Sequence, residues 1–230
     1  MCIRDSNYLY DDSRPTWDHN INIKGGTKAL SYMVSGRYYQ QKGVNRIEPD
    51  MFKSYNFRVK LQAEIKPWLT IASNTKFFQS NYKYYGYEDE YNNFRKPTLH
   101  ALASFVPVNP DGTAVSHTSM TQSSTHYLMD GYSAMMQKGK SFGNKKTQEI
   151  TTTFEATFKL HKNFNVKADF SYTQGYLHND YRSVNVQYSQ YPGEVMTEPE
   201  GSFPNKYKEV VWDQNYYCLL YTSDAADDLI

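Results

Sequence analysis

The chain has 230 residues, room for one large or two small domains, and its formal net charge of +1 offers no cationic surface that would release counterions from nucleic acid. Hydrophobic residues make up 39% and aromatic rings 16%, with 22 Tyr and 12 Phe, so apolar character is carried by rings more than by aliphatics. No run of eighteen apolar residues occurs, which excludes a transmembrane helix.

The two ends mirror each other as DNA. MCIRDS can be written ATG TGT ATA AGA GAC AG plus one base, and the reverse complement of that string encodes CLLYT, which follows Tyr217. Both resemble the mosaic end of a transposase-based sequencing adapter, and SDAADD continues it. Residues 1–6 and 218–230 are therefore expected to be adapter-derived and to carry no fold information. Cys2 and Cys218, the only cysteines, then say nothing about disulfides, metals or compartment. Met1 is followed by Arg4 and Asp5 rather than by an apolar stretch, so no signal peptide is expected.

Between these ends, alternation with a period of two marks strands. HNINIK sets Ile21 and Ile23 on one side, and Gly25 and Gly26 supply the turn after it. ALSYMVSGRYY places Leu30, Tyr32, Val34 and Tyr38 against Ser31, Ser35 and Arg37, with Met33 as the exception. From Tyr55 to Ile65 every odd residue is apolar or aromatic and every even one, from Asn56 to Glu64, is polar. After the KPW turn, where Pro67 cannot donate to a ladder, LTIASNTKFF reads as a strand of weaker contrast. EITTTFEATFKL sets Ile150, Phe154, Ala156, Phe158 and Leu160 opposite Thr151, Glu155 and Lys159; beyond HKN, Phe164, Val166, Ala168, Phe170 and Tyr172 face away from Lys167 and Asp169. Residues 206–217 begin one more strand.

The connections are lopsided. One end has the tight turns GGT, KPW and HKN; the other has residues 40–54, a long loop over 81–146 and a second over 175–205. Loops of that length are uncommon in compact domains and usually functional or disordered. The first carries a short amphipathic segment opened by Pro97, with Leu99, Leu102, Ala103 and Phe105 at helical spacing, and then an NPDGT turn at Pro110, Asp111 and Gly112. Strands of about ten residues, with short turns at one end and long loops at the other, describe an antiparallel transmembrane β-barrel of the outer-membrane type. Tyr38 and Tyr55 would mark its outer girdle and Trp68 its periplasmic one. A water-soluble antiparallel sandwich alternates in the same way and is separated from the barrel here by loop asymmetry.

HNINIKGGTKALSYMVSGRYYQQKGV followed by YNFRVKLQAEIKPWLTIASNTKFF resembles the early barrel of the SusC/RagA family of TonB-dependent outer-membrane transporters of Bacteroidota. The ordered series carries the likeness: His19 and Asn20, Gly25 to Thr27, Tyr32 with Tyr38, Gln41 with Gly43, Arg58, and Trp68 with Leu69. It is best over residues 17–80 and weaker in the loops; Pro107 with NPDGT and the VWDQNYY stretch from Val211 also look like family segments. The resemblance implies an all-β fragment, about seven strands of a barrel of about 22, with residues 7–18 ending an extracellular loop and 19–217 forming the partial barrel. It also implies import of oligosaccharides or peptides with a SusD-like surface lipoprotein, driven through the TonB complex, which an N-terminal part beyond these residues would contact. A passive porin-like barrel and a soluble carbohydrate-binding sandwich stay open as alternatives.

No catalytic constellation is expected. The histidines at 19, 100, 117, 126, 161 and 178 form no HExxH pair, and no GxGxxG or P-loop pattern occurs. Glu88, Asp89 and Glu90 read as a solvated acidic run rather than a glycosidase-like pair. Neither metal nor cofactor is implied. Candidate ligand contacts are the aromatics of NYKYYGYEDEYNNF, namely Tyr82, Tyr84, Tyr85, Tyr87 and Tyr91, whose rings could stack on the C–H faces of sugars; their other reading, packing within the loop, is favoured. Arg58, Lys60, Glu64, Glu155, Lys167 and Asp169 fall on the lumen side of the barrel reading, where a cross-strand charge ladder is favoured over substrate contact.

Overall fold

The computed structural model of the chain describes residues 10–46, 48–85, 109–111, 140–161, 164–184, 187–188, 192–193, 196–197 and 205–225. Its architecture is all-β, as the alternation predicts. The strands are β1 (Thr16–Gly26), β2 (Leu30–Lys42), β3 (Met51–Lys66), β4 (Leu69–Tyr85), β5 (Phe142–His161), β6 (Phe164–Ser183), the two-residue β7 (Gln187–Tyr188) and β8 (Met196–Thr197), and β9 (Lys206–Ala225). Seven of them form one open antiparallel sheet in the order β1-β2-β3-β4-β5-β6-β9, the form of a partial barrel, while β7 and β8 pair only with each other.

Register places all the apolar parities on one face. Leu61 stands opposite Tyr32 and Ser73, Ser73 opposite Phe154, Phe154 opposite Phe170, and Phe170 opposite Leu219. A slip of one residue would turn a strand's whole apolar set to the other side, so the unbroken pairing records agreement between pattern and ladder. The ladder shifts only beside two of the short turns, between Glu64 and Lys66 and between Lys159 and His161. At the first turn Thr27 Oγ1 accepts from the backbone N–H of Leu30 at 3.2 Å, and Gly26 lies too close to the Leu30 carbonyl to carry a Cβ.

No second layer covers the apolar face among the described residues. Phe57 is 49% exposed, Leu61 47%, Ile65 54% and Phe154 52%, and the buried hydrophobic residues are two tyrosines, Tyr84 and Tyr181. A sandwich would press this face against a second sheet and bury it. The bare face runs from Ile65 to Tyr55 on β3, ten steps of about 3.4 Å, which at the tilt of a barrel strand stands roughly 25 Å tall. Ring contacts bound it at both ends. Tyr38 packs on Tyr55 with centroids 5.2 Å apart and stacks on His19 at 6.3 Å, while Trp68 stacks on Phe158 at 6.4 Å beside the short turns.

Five strand boundaries differ from expectation. The strands outrun ten residues: β4 continues to Tyr85, β5 begins at Phe142 and β6 continues to Ser183, so the ends assigned to the 81–146 and 175–205 loops are ladder. The pattern fades there because Gln79, Asn81, Gln148 and Gln174 make even the belt face polar, although the backbone keeps pairing. At the other side β9 passes Tyr217 and pairs with β6 as far as Ala225, because Leu219 and Tyr221 keep the parity of Tyr217 and the β6 edge offers partners down to Phe164. The first strand begins at Thr16 rather than His19. Pro110 and Asp111 form the expected turn, and the Asp111 carboxylate accepts from the Gly193 N–H at 2.9 Å, tying the two long loops together. The amphipathic segment at 97–105 and the acidic run at 88–90 lie outside the described residues.

Candidate functional site

The face opposite the belt is polar and hollowed. Arg58, Lys60, Glu64, Glu155, Lys167 and Asp169 all point to it by register. One hollow of about 530 Å³ is lined by Lys24, Met33, Lys60, Gln62, Asn74 and Glu155. A second of about 270 Å³, nearer the long loops, is lined by Arg37, Asn56, Arg58, Lys76, Phe78 and Glu149.

Of the six expected charges, five fall into two groups, and Glu64 stands apart opposite Thr70. On β5 and β6, Glu155 and Asp169 are direct cross-strand partners, and Lys167 holds them together with its Nζ 3.0 Å from Glu155 Oε2 and 3.8 Å from Asp169 Oδ2. Two like charges directly opposite destabilise a sheet, and a shared cation offsets that. Asp169 Oδ1 is buried and takes no hydrogen bond. On β3, Arg58 Nε donates to the neutral Asn74 Oδ1 at 2.9 Å while facing Lys76 across the strand, and Lys60 pairs with Asn74 in the next row. Hydroxyl pairs fill the space between: Thr151 with Thr173 at 3.0 Å and Thr153 with Ser171 at 3.0 Å.

The tyrosines part company. Tyr82, Tyr84 and Tyr85 were expected on a loop and sit instead on β4, where alternation turns Tyr82 and Tyr84 to the polar face and Tyr85 to the other. They cannot form one platform. Tyr82 donates its hydroxyl to Asp50 Oδ2 at 3.2 Å and stacks on Tyr84 with centroids 5.5 Å apart. Tyr84 is 3% exposed and its ring covers Gly143 on β5, leaving no room there for a Cβ. Tyr85 shares the ammonium of Lys83 with Phe142, at 5.1 and 5.6 Å from the ring centroids. Tyr87 and Tyr91 lie outside the described residues.

Several polar anchors near the long loops escaped sequence reasoning because their partners are distant in the chain. Arg37 forks onto Asp18, with Nε to Oδ1 at 2.9 Å and Nη2 to Oδ2 at 2.6 Å, and lies 5.6 Å from the Tyr39 ring centroid. Asp11 binds Lys42 at 3.0 Å and Arg46 at 3.2 Å while its N–H donates to the Val44 carbonyl, pinning the segment before β1 against the β2–β3 connection. The Lys42 hydrogen bond holds the Asp11 carboxyl below the usual carboxylate value; desolvation opposes it, and Arg46 adds to the lowering.

The chain is similar in fold to the RagAB peptide importer in its closed-closed state, at 14% identity and TM-score 0.50, covering 96% of this chain and 31% of that one. Two further solved structures align at TM-score 0.49 and 15% identity: the RagAB peptide transporter, over 96% of this chain and 31% of that chain, and the RagAB peptide importer in its open-open state, over 95% and 30%. The chain thus spans about a third of their length, and at this identity the likeness is one of fold. No protein-family model and no curated protein matches the chain.

Proposed function

We propose that this chain is a wall segment of a TonB-dependent outer-membrane importer of the SusC/RagA type, carrying oligosaccharides or peptides and working with a SusD-like surface lipoprotein. One observation carries the reading: a single open antiparallel sheet with a bare apolar belt about 25 Å tall on one face and a charged, hollowed surface on the other. Lipid covers the belt, and the ring pairs at its two ends sit at headgroup level. Arg58, Lys60, Glu64, Glu155, Lys167 and Asp169 face the lumen. Tyr82 and Tyr84 pack the mouth rather than grip ligand, since one is held by Asp50 and the other covers Gly143.

The reading frame upstream of Asn7 tests the importer. A lumen-filling domain on the order of a hundred residues, preceded by a TonB-contacting segment, is expected there. An intact gene that lacks it would leave a passive barrel and end the importer reading. Accessibility checks the faces: a cysteine at position 60 in a cysteine-free background should react with a polar maleimide in membranes, and one at position 61 should not.

A further inference from the structure

On the face that carries the apolar belt, three lysines gather just above the ring row of Tyr38 and Tyr55. Register sets Lys53 and Lys146 in one row on either side of Asn81, and Lys83 in the next row up, between Met51 and Asn144. Two inter-strand spacings place the backbones of Lys53 and Lys146 about 10 Å apart, a gap that two lysine stems can close on one small anion. Among the described residues none of the three lysines has a carboxylate within 4.0 Å. Lys83 holds its ammonium over the rings of Tyr85 and Phe142, which steadies the charge without neutralising it. Asp180 and Glu209 stand on the same face of β6 and β9, and each has a partner of its own: Asn144 Nδ2 donates to Asp180 Oδ2 at 2.9 Å, and His178 Nε2 lies 2.7 Å from Glu209 Oε1. The Asn81 amide, between the two cations, makes no hydrogen bond among the described residues.

Height gives this cluster its meaning. The Lys53 row stands two residues above Tyr55, about 7 Å along the strand and roughly 5 Å of height at barrel tilt. A headgroup layer is about 5 to 7 Å deep on each side of the hydrocarbon. With the ring row at the edge of the hydrocarbon, Lys53 and Lys146 stand at the level of lipid phosphates, and Phe57, Phe77 and Ile150 lie on the belt below them. Like charges gathered beside hydrocarbon repel more strongly than in open water, and an anion between them offsets that repulsion. We propose that Lys53, Asn81 and Lys146, with Lys83 above them, form a site for the phosphate of an outer-leaflet lipid headgroup. The ammonium groups bring point charges to the phosphate oxygens, the Asn81 amide adds a neutral N–H between them, and the belt takes the acyl chains. The site rests on the placement of the belt in lipid and not on transport, and the maleimide test at positions 60 and 61 decides that placement separately.

The test is native mass spectrometry of the full-length protein in non-ionic detergent, titrated with phosphatidic acid or with phosphatidylcholine, whose phosphate is screened by its own cation. Wild type should hold phosphatidic acid about tenfold more tightly, with the gap narrowing as salt rises. Lys53→Gln with Lys146→Gln should retain one phosphatidic acid molecule fewer than wild type, so that the difference counts this site alone, and Lys53→Arg with Lys146→Arg should restore it. Equal retention of the two lipids by wild type would overturn the proposal, as would a Gln variant that holds as much phosphatidic acid as wild type. A Gln variant that loses both lipids alike and melts earlier would also overturn it, assigning the lysines to the stability of the wall. Displacement of the lipid by millimolar inorganic phosphate would make free phosphate the ligand and overturn the lipid site.

Discussion

The ring of Tyr84 lies across Gly143 on the next strand, filling the space a side chain would need. The same row continues to Tyr181, so the two most buried rings of the sheet flank one glycine. Gly143→Val must push the ring off its neighbour and should destabilise the full-length protein by about 1–3 kcal/mol in urea unfolding from lipid vesicles. Gly175 is the control, since only the Gln214 carbonyl lies near a Cβ there, at 3.9 Å. A Gly175→Ala change should fall within about 0.5 kcal/mol of wild type, and equal effects at both glycines would refute the covering role.

Val59 and Lys60 are adjacent in sequence and point to opposite faces. Val59→Arg places a charge in the belt and should cost about 2–4 kcal/mol near the midplane. Lys60→Gln should change stability by no more than about 0.5 kcal/mol. Unfolding from vesicles measures both, and similar tolerance at the two positions would reverse the assignment of lipid and lumen.

Thr75 and Thr152 are direct partners on the belt face, with their hydroxyl oxygens 3.3 Å apart. With lipid over the belt, as proposed, removing one hydroxyl would leave the other unpaired in hydrocarbon, so Thr75→Val alone should cost about 1–3 kcal/mol. Adding Thr152→Val removes the orphan, and the double variant should regain most of that loss. A double-mutant cycle with additive losses would show that the two hydroxyls do not serve each other.

Asp11 supplies a pH dependence of known sign. Its carboxyl titrates lower when folded than when free, chiefly through Lys42, with Arg46 assisting against desolvation. The contribution of the clamp is therefore complete above the free value and is lost as pH falls below about 4 and through the folded value. Pepsin cleavage between Tyr10 and Pro15, followed across that window, should rise as the clamp opens. Asp11→Asn should already be open at its upper end; cleavage without pH dependence in wild type would count against the clamp.

The strands were legible where their two faces meet different media. From Tyr55 to Glu64 one face is apolar and the other polar, and the ladder follows that pattern residue for residue until the shift at Ile65. Above the belt both faces are polar, the contrast goes, and Tyr82, Tyr84 and Tyr85 pass for loop although the backbone is paired. Charges could be placed on a face by parity alone, as with Arg58 and Glu155. Their partners could not, because partnership depends on register across connections: Thr75 and Thr152 meet from 77 residues apart, and Asp11 and Arg46 from 35.

On the importer reading, the length of β4 sets what a cargo would meet first. From Gln79 to Tyr85 it continues six residues past the ring row containing Tyr55, bonded to β3 and then β5 along the way. Six residues reach about 20 Å along the strand, or roughly 14 Å of height at barrel tilt. With the belt in hydrocarbon, the wall stands above the membrane as a stiff collar. A surface partner would rest on that raised rim, and an incoming molecule would enter a chimney of hydrogen-bonded backbone before it reached the depth of the lipid.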